Sequence, residues 1–194
     1  SIGGWNLSKN FSDIAADATK RKKFVSSAIE YLDEYGFDGY EVDWRYPVLG
    51  GAGDNKYSKD DLTNYLKLIT ELRSACDLRI GGCELSMTVP SIPFVRVGWD
   101  FKAFSKQVDF FTVLTSDFAG SWSERTSHKS PLYRSSNHPQ ISIASIVKEL
   151  KSVGLPENQL VIYVSADGTA WKGVDSQYRG GETNLDEYGR NWRF

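Results

Sequence analysis

Along the chain, short runs rich in β-branched and apolar residues alternate with stretches in which apolar positions recur every three or four residues. This rhythm predicts an α/β fold, with parallel strands joined by crossover helices. Strands are expected at 1–5, 39–44, 85–90, 110–115 and 160–165. A helix is expected over 23–35, with Phe24, Ala28, Tyr31, Leu32 and Tyr35 on one face and Gly36 at the position of a C-terminal cap. A second helix opens at the capping arrangement of Ser58 to Asp61 and continues through Leu62, Tyr65, Leu66, Ile69 and Leu72. Shorter helices are expected at 101–106 and 141–153, the latter stopped by Gly154 and Pro156. The loops after strands are long: 47–57 is Gly-rich, and 116–136 mixes Trp122, His128 and Tyr133 with small polar residues. In α/β folds such loops build the binding site.

A buried parallel strand reads as a continuous apolar run, yet the run from Gly39 to Arg45 alternates. Glu41, Asp43 and Arg45 fall on one face, Tyr40, Val42 and Trp44 on the other. The helices on either side favour a barrel strand whose ionic face looks into the barrel mouth; a solvated edge strand is the competing reading.

Composition narrows the partners. The formal net charge of −2 gives no electrostatic reason to expect nucleic acid or an anionic membrane. No apolar stretch approaches the roughly 20 residues that span a bilayer. With 40% hydrophobic residues and six Trp, the chain can bury a sizeable core. Cys76 and Cys83 suit neither a zinc pair nor a redox motif and leave a local disulfide open. His128 and His138 have no third ligand at metal spacing, so no metal is expected. Asn6-Leu7-Ser8 and Asn10-Phe11-Ser12 satisfy the glycosylation sequon, which points toward secretion without establishing it. The opening Ser-Ile-Gly-Gly-Trp, without Met or a leader pattern, suggests an internal piece or a processed form.

The segment Asp38-Gly-Tyr-Glu-Val-Asp-Trp-Arg-Tyr-Pro47 resembles the DGxDxDWEYP signature of family-eighteen glycoside hydrolases, the chitinases and their relatives, agreeing at eight of ten positions. Ser1-Ile-Gly-Gly4 is similar to that family's SxGG, and Thr112 to Trp122 to its NVMTYDFHGSW strand end. Val164 to Trp171 resembles its VPFYGRGW segment more distantly. The resemblance covers essentially the whole chain and implies strands three to seven of a (β/α)8 TIM barrel. A full barrel takes roughly 250 residues, so further chain segments completing the barrel are expected. The resemblance treats 1–194 as one barrel domain, with 172–194 the start of an insertion after the seventh strand.

Family members cleave β-1,4-linked N-acetylglucosamine polymers with a Glu acid and the substrate's own acetamide as nucleophile; no cofactor is implied. At the acid position stands Arg45, which holds its proton at any ordinary pH. Of the motif positions Asp38, Glu41, Asp43 and Arg45, Glu41 is longer than the family's Asp, and an ion pair of Arg45 with Asp43 or Glu41 is expected. Ser116 replaces the family's acetamide-holding Tyr, and Asp167 and Thr169 replace the Tyr and Arg of the YGR segment. By resemblance, Tyr46, Asp117, Trp122 and Trp171 line the sugar cleft. Trp44 is expected to pack outward under the helices, and Trp99 and Phe101 to join the core. The expected function is that of a silent, secreted, lectin-like or decoy binder of chitin oligosaccharides. An interaction or enzyme-inhibitor module presenting its loops to a protein partner is the alternative, and a hydrolase using Glu41 is third.

Overall fold

The computed structural model describes residues 1–123, 126–134, 141–172 and 182–184. The chain divides into two compact units, one of Ser1–Val113 with Val153–Val161, the other of Leu114–Ser152 with the residues from Ile162 on. Five strands form one sheet in sequential order: β1 (Ile2–Gly4), β2 (Gly39–Trp44), β3 (Glu84–Pro90), β4 (Phe110–Leu114) and β5 (Leu160–Ile162). The β1/β2 and β2/β3 pairs are parallel, with Gly3 opposite Asp43 and Glu41 opposite Ser86. Each strand lies beside its successor, as in the wall of a barrel rather than in a doubly wound sheet.

In the first unit, α1 (Phe11–Ala16), α2 (Ala18–Tyr35) and α3 (Asp61–Leu78) connect β1, β2 and β3. The six-residue α1 is too short for a periodic signal and is absent from the sequence-based reading. Helix α2 begins five residues before its expected start because the Asp17 carboxylate accepts from the Lys20 N–H at 2.9 Å, and the charged first turn carries no apolar pattern. Gly36 ends it at φ 69°, with its N–H on the Leu32 carbonyl. The expected apolar face is only partly used. Ala28 and Leu32 are buried, whereas Tyr31 and Tyr35 are exposed and cluster with Phe37. At α3 the expected capping arrangement is half present: the Asp61 carboxylate accepts from the Ser58 N–H at 2.8 Å, but the Ser58 hydroxyl accepts from the Asp60 N–H, and Asp60, the residue before the helix, makes no side-chain cap bond. Helix α4 (Phe101–Phe104) is shorter than expected.

The core between sheet and helices is aromatic. Trp44 stacks on Phe11 at 5.5 Å and meets Tyr65 edge-on at 5.0 Å; Tyr65 continues to Phe104 and Trp99, and Trp99 to Phe101. This places Trp44, Trp99 and Phe101 as the sequence suggested. Cys76 at the end of α3 and Cys83 before β3 form a disulfide, the open alternative settled by their Cα separation of 5.0 Å.

In the second unit, α5 (Ile143–Ser152) falls inside the expected 141–153. The expected strand 160–165 stops at Ile162. Strands β6 (Ala170–Lys172) and β7 (Glu182–Asn184) pair antiparallel, which the sequence pattern does not anticipate. His138 and most of the expected insertion 172–194 lie outside the described residues. Among the described residues, no helix is long and apolar enough to cross a membrane, and no group of three or more His, Cys, Asp or Glu could hold a metal.

Candidate functional site

Two turns meet at the carboxyl ends of β1 and β2. After β1 the chain must pass within contact of the β2 backbone, and Gly3 permits this. A Cβ there would lie 2.2 Å from the Asp43 carbonyl oxygen, and its φ of 112° suits glycine alone. Ser8 then closes the join: its hydroxyl donates to the Gly4 carbonyl at 2.7 Å and accepts from the Arg45 N–H at 2.8 Å, fully buried.

This scaffold presents the ionic face of β2. Arg45 grips Asp43 in a two-pronged pair, Nε to Oδ1 and Nη2 to Oδ2 each at 2.8 Å. Asp43, only 6% exposed, also accepts from the buried Thr88 hydroxyl of β3 at 2.9 Å. The geometry selects Asp43 over Glu41 among the two partners anticipated for Arg45. Glu41 instead accepts from the Thr112 hydroxyl on β4 at 2.5 Å. Their negative charges act through the sheet: Tyr65, which donates to the Val42 carbonyl, has its phenol pushed well above the ordinary value by burial first, then by Asp43 and Glu41. Asp38 stands apart from this group. It is exposed before β2 begins and contributes only its carbonyl, which accepts from the Glu84 N–H.

Tyr46 follows directly, half-buried, and meets the half-exposed Trp5 edge-on at 6.5 Å. Trp5 is a candidate functional residue that sequence reasoning passed over. The signal was present, an aromatic residue just beyond a strand that ends in two glycines, but it was read as part of the strand. Asn55 tightens the following loop by donating to the Arg45 carbonyl at 2.6 Å. Asp61 is a second omission: fully buried, it accepts from Ser12 at 2.7 Å and from the Val48 N–H at 3.0 Å, tying α1 to the loop after β2.

The second unit holds its own cluster. Lys129 pairs with Asp167 and lies 4.0 Å from Asp117, while Ser130 donates to the Thr115 carbonyl at 2.5 Å. Ser116 is buried. Trp122 is 65% exposed, its ring folded over Gly120, where a Cβ would meet the ring at 2.4 Å. Trp171 is half-buried on β6, and His128 lies in the loop before Lys129.

The family model for glycosyl hydrolases family 18 matches residues 1–192. The chain belongs to this family, and its five-stranded sheet is part of a (β/α)8 barrel. Chitinase A1 of Niallia circulans is 31% identical over 89% of the chain and 26% of that protein. A chitinase-like effector of Moniliophthora roreri is 29% identical over 97% of the chain and 47% of that protein. Among solved structures, chitinase ChiA74 from Bacillus thuringiensis superposes with a TM-score of 0.87 at 28% identity, over 98% of this chain and 32% of that one. The second catalytic domain of the Ostrinia furnacalis Group II chitinase gives 0.85 at 27%, over 97% and 52%. The chain thus spans from about a quarter to about half the length of these relatives.

Proposed function

We propose that this chain is a catalytically silent, secreted chitinase-like protein whose loops bind N-acetylglucosamine oligomers. One observation carries the proposal: the position matching the family's acid is Arg45, and its guanidinium occupies the Asp43 carboxylate. An arginine cannot supply the proton that the leaving oxygen needs. Asp43, engaged by Arg45 and Thr88, is not poised to orient an acetamide. Two departures elsewhere point the same way. Ser116 has no ring or phenol to offer, and Asp167 is neutralised by Lys129.

What remains suits binding. Trp5 and Tyr46 form an aromatic corner beside the carboxyl ends of β1 and β2, and exposed rings fit the apolar faces of pyranoses. Asp117, Trp122 and Trp171 are the corresponding candidates in the second unit. The chitinase-like effector among the relatives is consistent with this reading, and the Cys76–Cys83 disulfide with an oxidising compartment. A protein-directed role is the second reading, favoured specifically by the Lys129–Asp167 pair, since a binder selected for acetamide contacts has no reason to replace them with an internal ion pair.

Calorimetric titration with chitin hexamer, followed by mass spectrometry of the recovered sugar, tests the proposal. Saturable heat with intact hexamer is expected. Cleaved sugar would overturn the argument from Arg45, and absence of both heat and cleavage would transfer the role to a protein partner.

A further inference from the structure

The fold treats the two sequons at the β1–α1 connection differently. We infer that Asn10 is a site of N-linked glycosylation, that it is used in preference to Asn6, and that it is modified before the domain closes. The inference rests on export through a eukaryotic secretory route but not on the sugar-binding reading.

Both asparagines are exposed, so a glycan on either is compatible with the native backbone. Their hydroxyl partners are not. The Ser8 hydroxyl, fully buried, is held between Gly4 and β2; the Ser12 hydroxyl, 6% exposed, is held by the Asp61 carboxylate at 2.7 Å. A transferase that reads the hydroxyl two positions after the asparagine can engage neither sequon once these bonds have formed. Modification therefore belongs to the chain as it emerges, and the window for each sequon ends when its locking partner arrives. For Ser8 one partner, Gly4, already precedes it, and the others, Asp43 and Arg45, come 35 and 37 positions later; for Ser12 the partner is Asp61, 49 positions later. Asn10 has the longer window.

The local geometry agrees. Asn10 precedes α1 yet makes no side-chain cap bond to it, so linking its amide to a glycan removes no helix contact. In the transfer, the Asn10 amide nitrogen bonds to the anomeric carbon of an oligosaccharide carried on a lipid pyrophosphate. The bond from that carbon to phosphate oxygen breaks, the lipid pyrophosphate leaves with the electron pair, and the amide loses one proton. No oxidant or reductant is needed.

The test expresses the chain behind a cleavable signal peptide in cultured insect cells. The secreted protein is treated with peptide-N-glycosidase in heavy-oxygen water, and the labelled aspartates are mapped by mass spectrometry. Label at position 10 exceeding that at position 6 is expected. Asn10→Gln, which keeps Ser12 and its bond to Asp61, should remove most of the glycan, while Asn6→Gln should leave it. Bacterially made, folded chain given to a microsomal transferase with its lipid-linked donor should stay unmodified. Secreted protein with the disulfide closed and no label at position 10 would overturn the inference, as would greater or equal label at position 6. Modification of the folded chain would overturn the timing. Sugar binding is read separately by calorimetry, so failure of one proposal does not disguise failure of the other.

Discussion

Arg45 and Asp43 carry the most at the scale of single residues. Removing one member of a buried pair strands the other, at up to 3–5 kcal/mol in fully desolvated cases. Here the Arg45 side chain is 19% exposed and Thr88 still donates to Asp43. Arg45→Ala is therefore expected to cost about 2 kcal/mol, read as a lower urea midpoint with unchanged slope; no change would mean that Thr88 and solvent satisfy Asp43 without the guanidinium. Arg45→Glu places a carboxyl at the family's acid position but leaves Ser116 and Asp167 as they are, so no hydrolysis of chitin hexamer is expected. Turnover in that variant would show that the scaffold still positions substrate. Trp5→Ala should weaken hexamer binding about five- to tenfold, the scale of one aromatic contact, and an unchanged heat curve would remove Trp5 from the site.

At the scale of elements, the Cys76–Cys83 bridge joins the end of α3 to the start of β3 across seven positions. Closing so short a loop restricts the unfolded chain by about 2.5 kcal/mol. Cys83→Ser should therefore lower stability by about that amount while leaving hexamer binding intact, because the bridge lies at the opposite end of β3 from Thr88. Loss of binding at retained fold would contradict this separation. The elements also show what the sequence could disclose. Strand β2 was legible to the residue because its alternation of ionic and apolar positions is a local property, and so was Gly36, whose left-handed turn is set by its own helix. The short α1 and the first turn of α2 were not, since both depend on caps and contacts rather than periodicity. Tyr31 and Tyr35 followed the helical period yet remain exposed, because a repeat marks a face without stating what covers it. Within the site, an ion pair of Arg45 on the ionic strand face was readable from the alternation, but spacing left Asp43 and Glu41 both open as its partner, and the structure chose Asp43. The partners of Glu41 and Asp61 were not, since Thr112 and Ser12 lie 71 and 49 positions away.

For the molecule as a whole, the buried phenols set an alkaline limit on stability. Burial pushes Tyr40 up to about 12, and Tyr65, fully buried on the opposite side of β2 from Asp43 and Glu41, is pushed well above its ordinary value by burial and, through the sheet, by those two charges. In the unfolded chain both ionise near pH 10. Between about 10 and 12 the folded state keeps protons that the unfolded state releases, so the stability these groups contribute is fully present below pH 10. It is lost as pH rises toward the folded values, by about 1.4 kcal/mol per pH unit for each phenol held neutral. Urea midpoints between pH 7 and 9.5 are expected to show no loss from these phenols and to fall steeply above pH 10. Absorbance at the phenolate band should meanwhile show Tyr40 and Tyr65 holding their protons past the ordinary phenol range. Tyr65→Phe should flatten the alkaline fall, since phenylalanine has no proton to lose, at a modest cost from the lost bond to the Val42 carbonyl. If the Tyr65 phenol ionised near pH 10 with the fold intact, it would not be buried beneath β2 against the Val42 carbonyl, and the packing of α3 on that strand would be wrong.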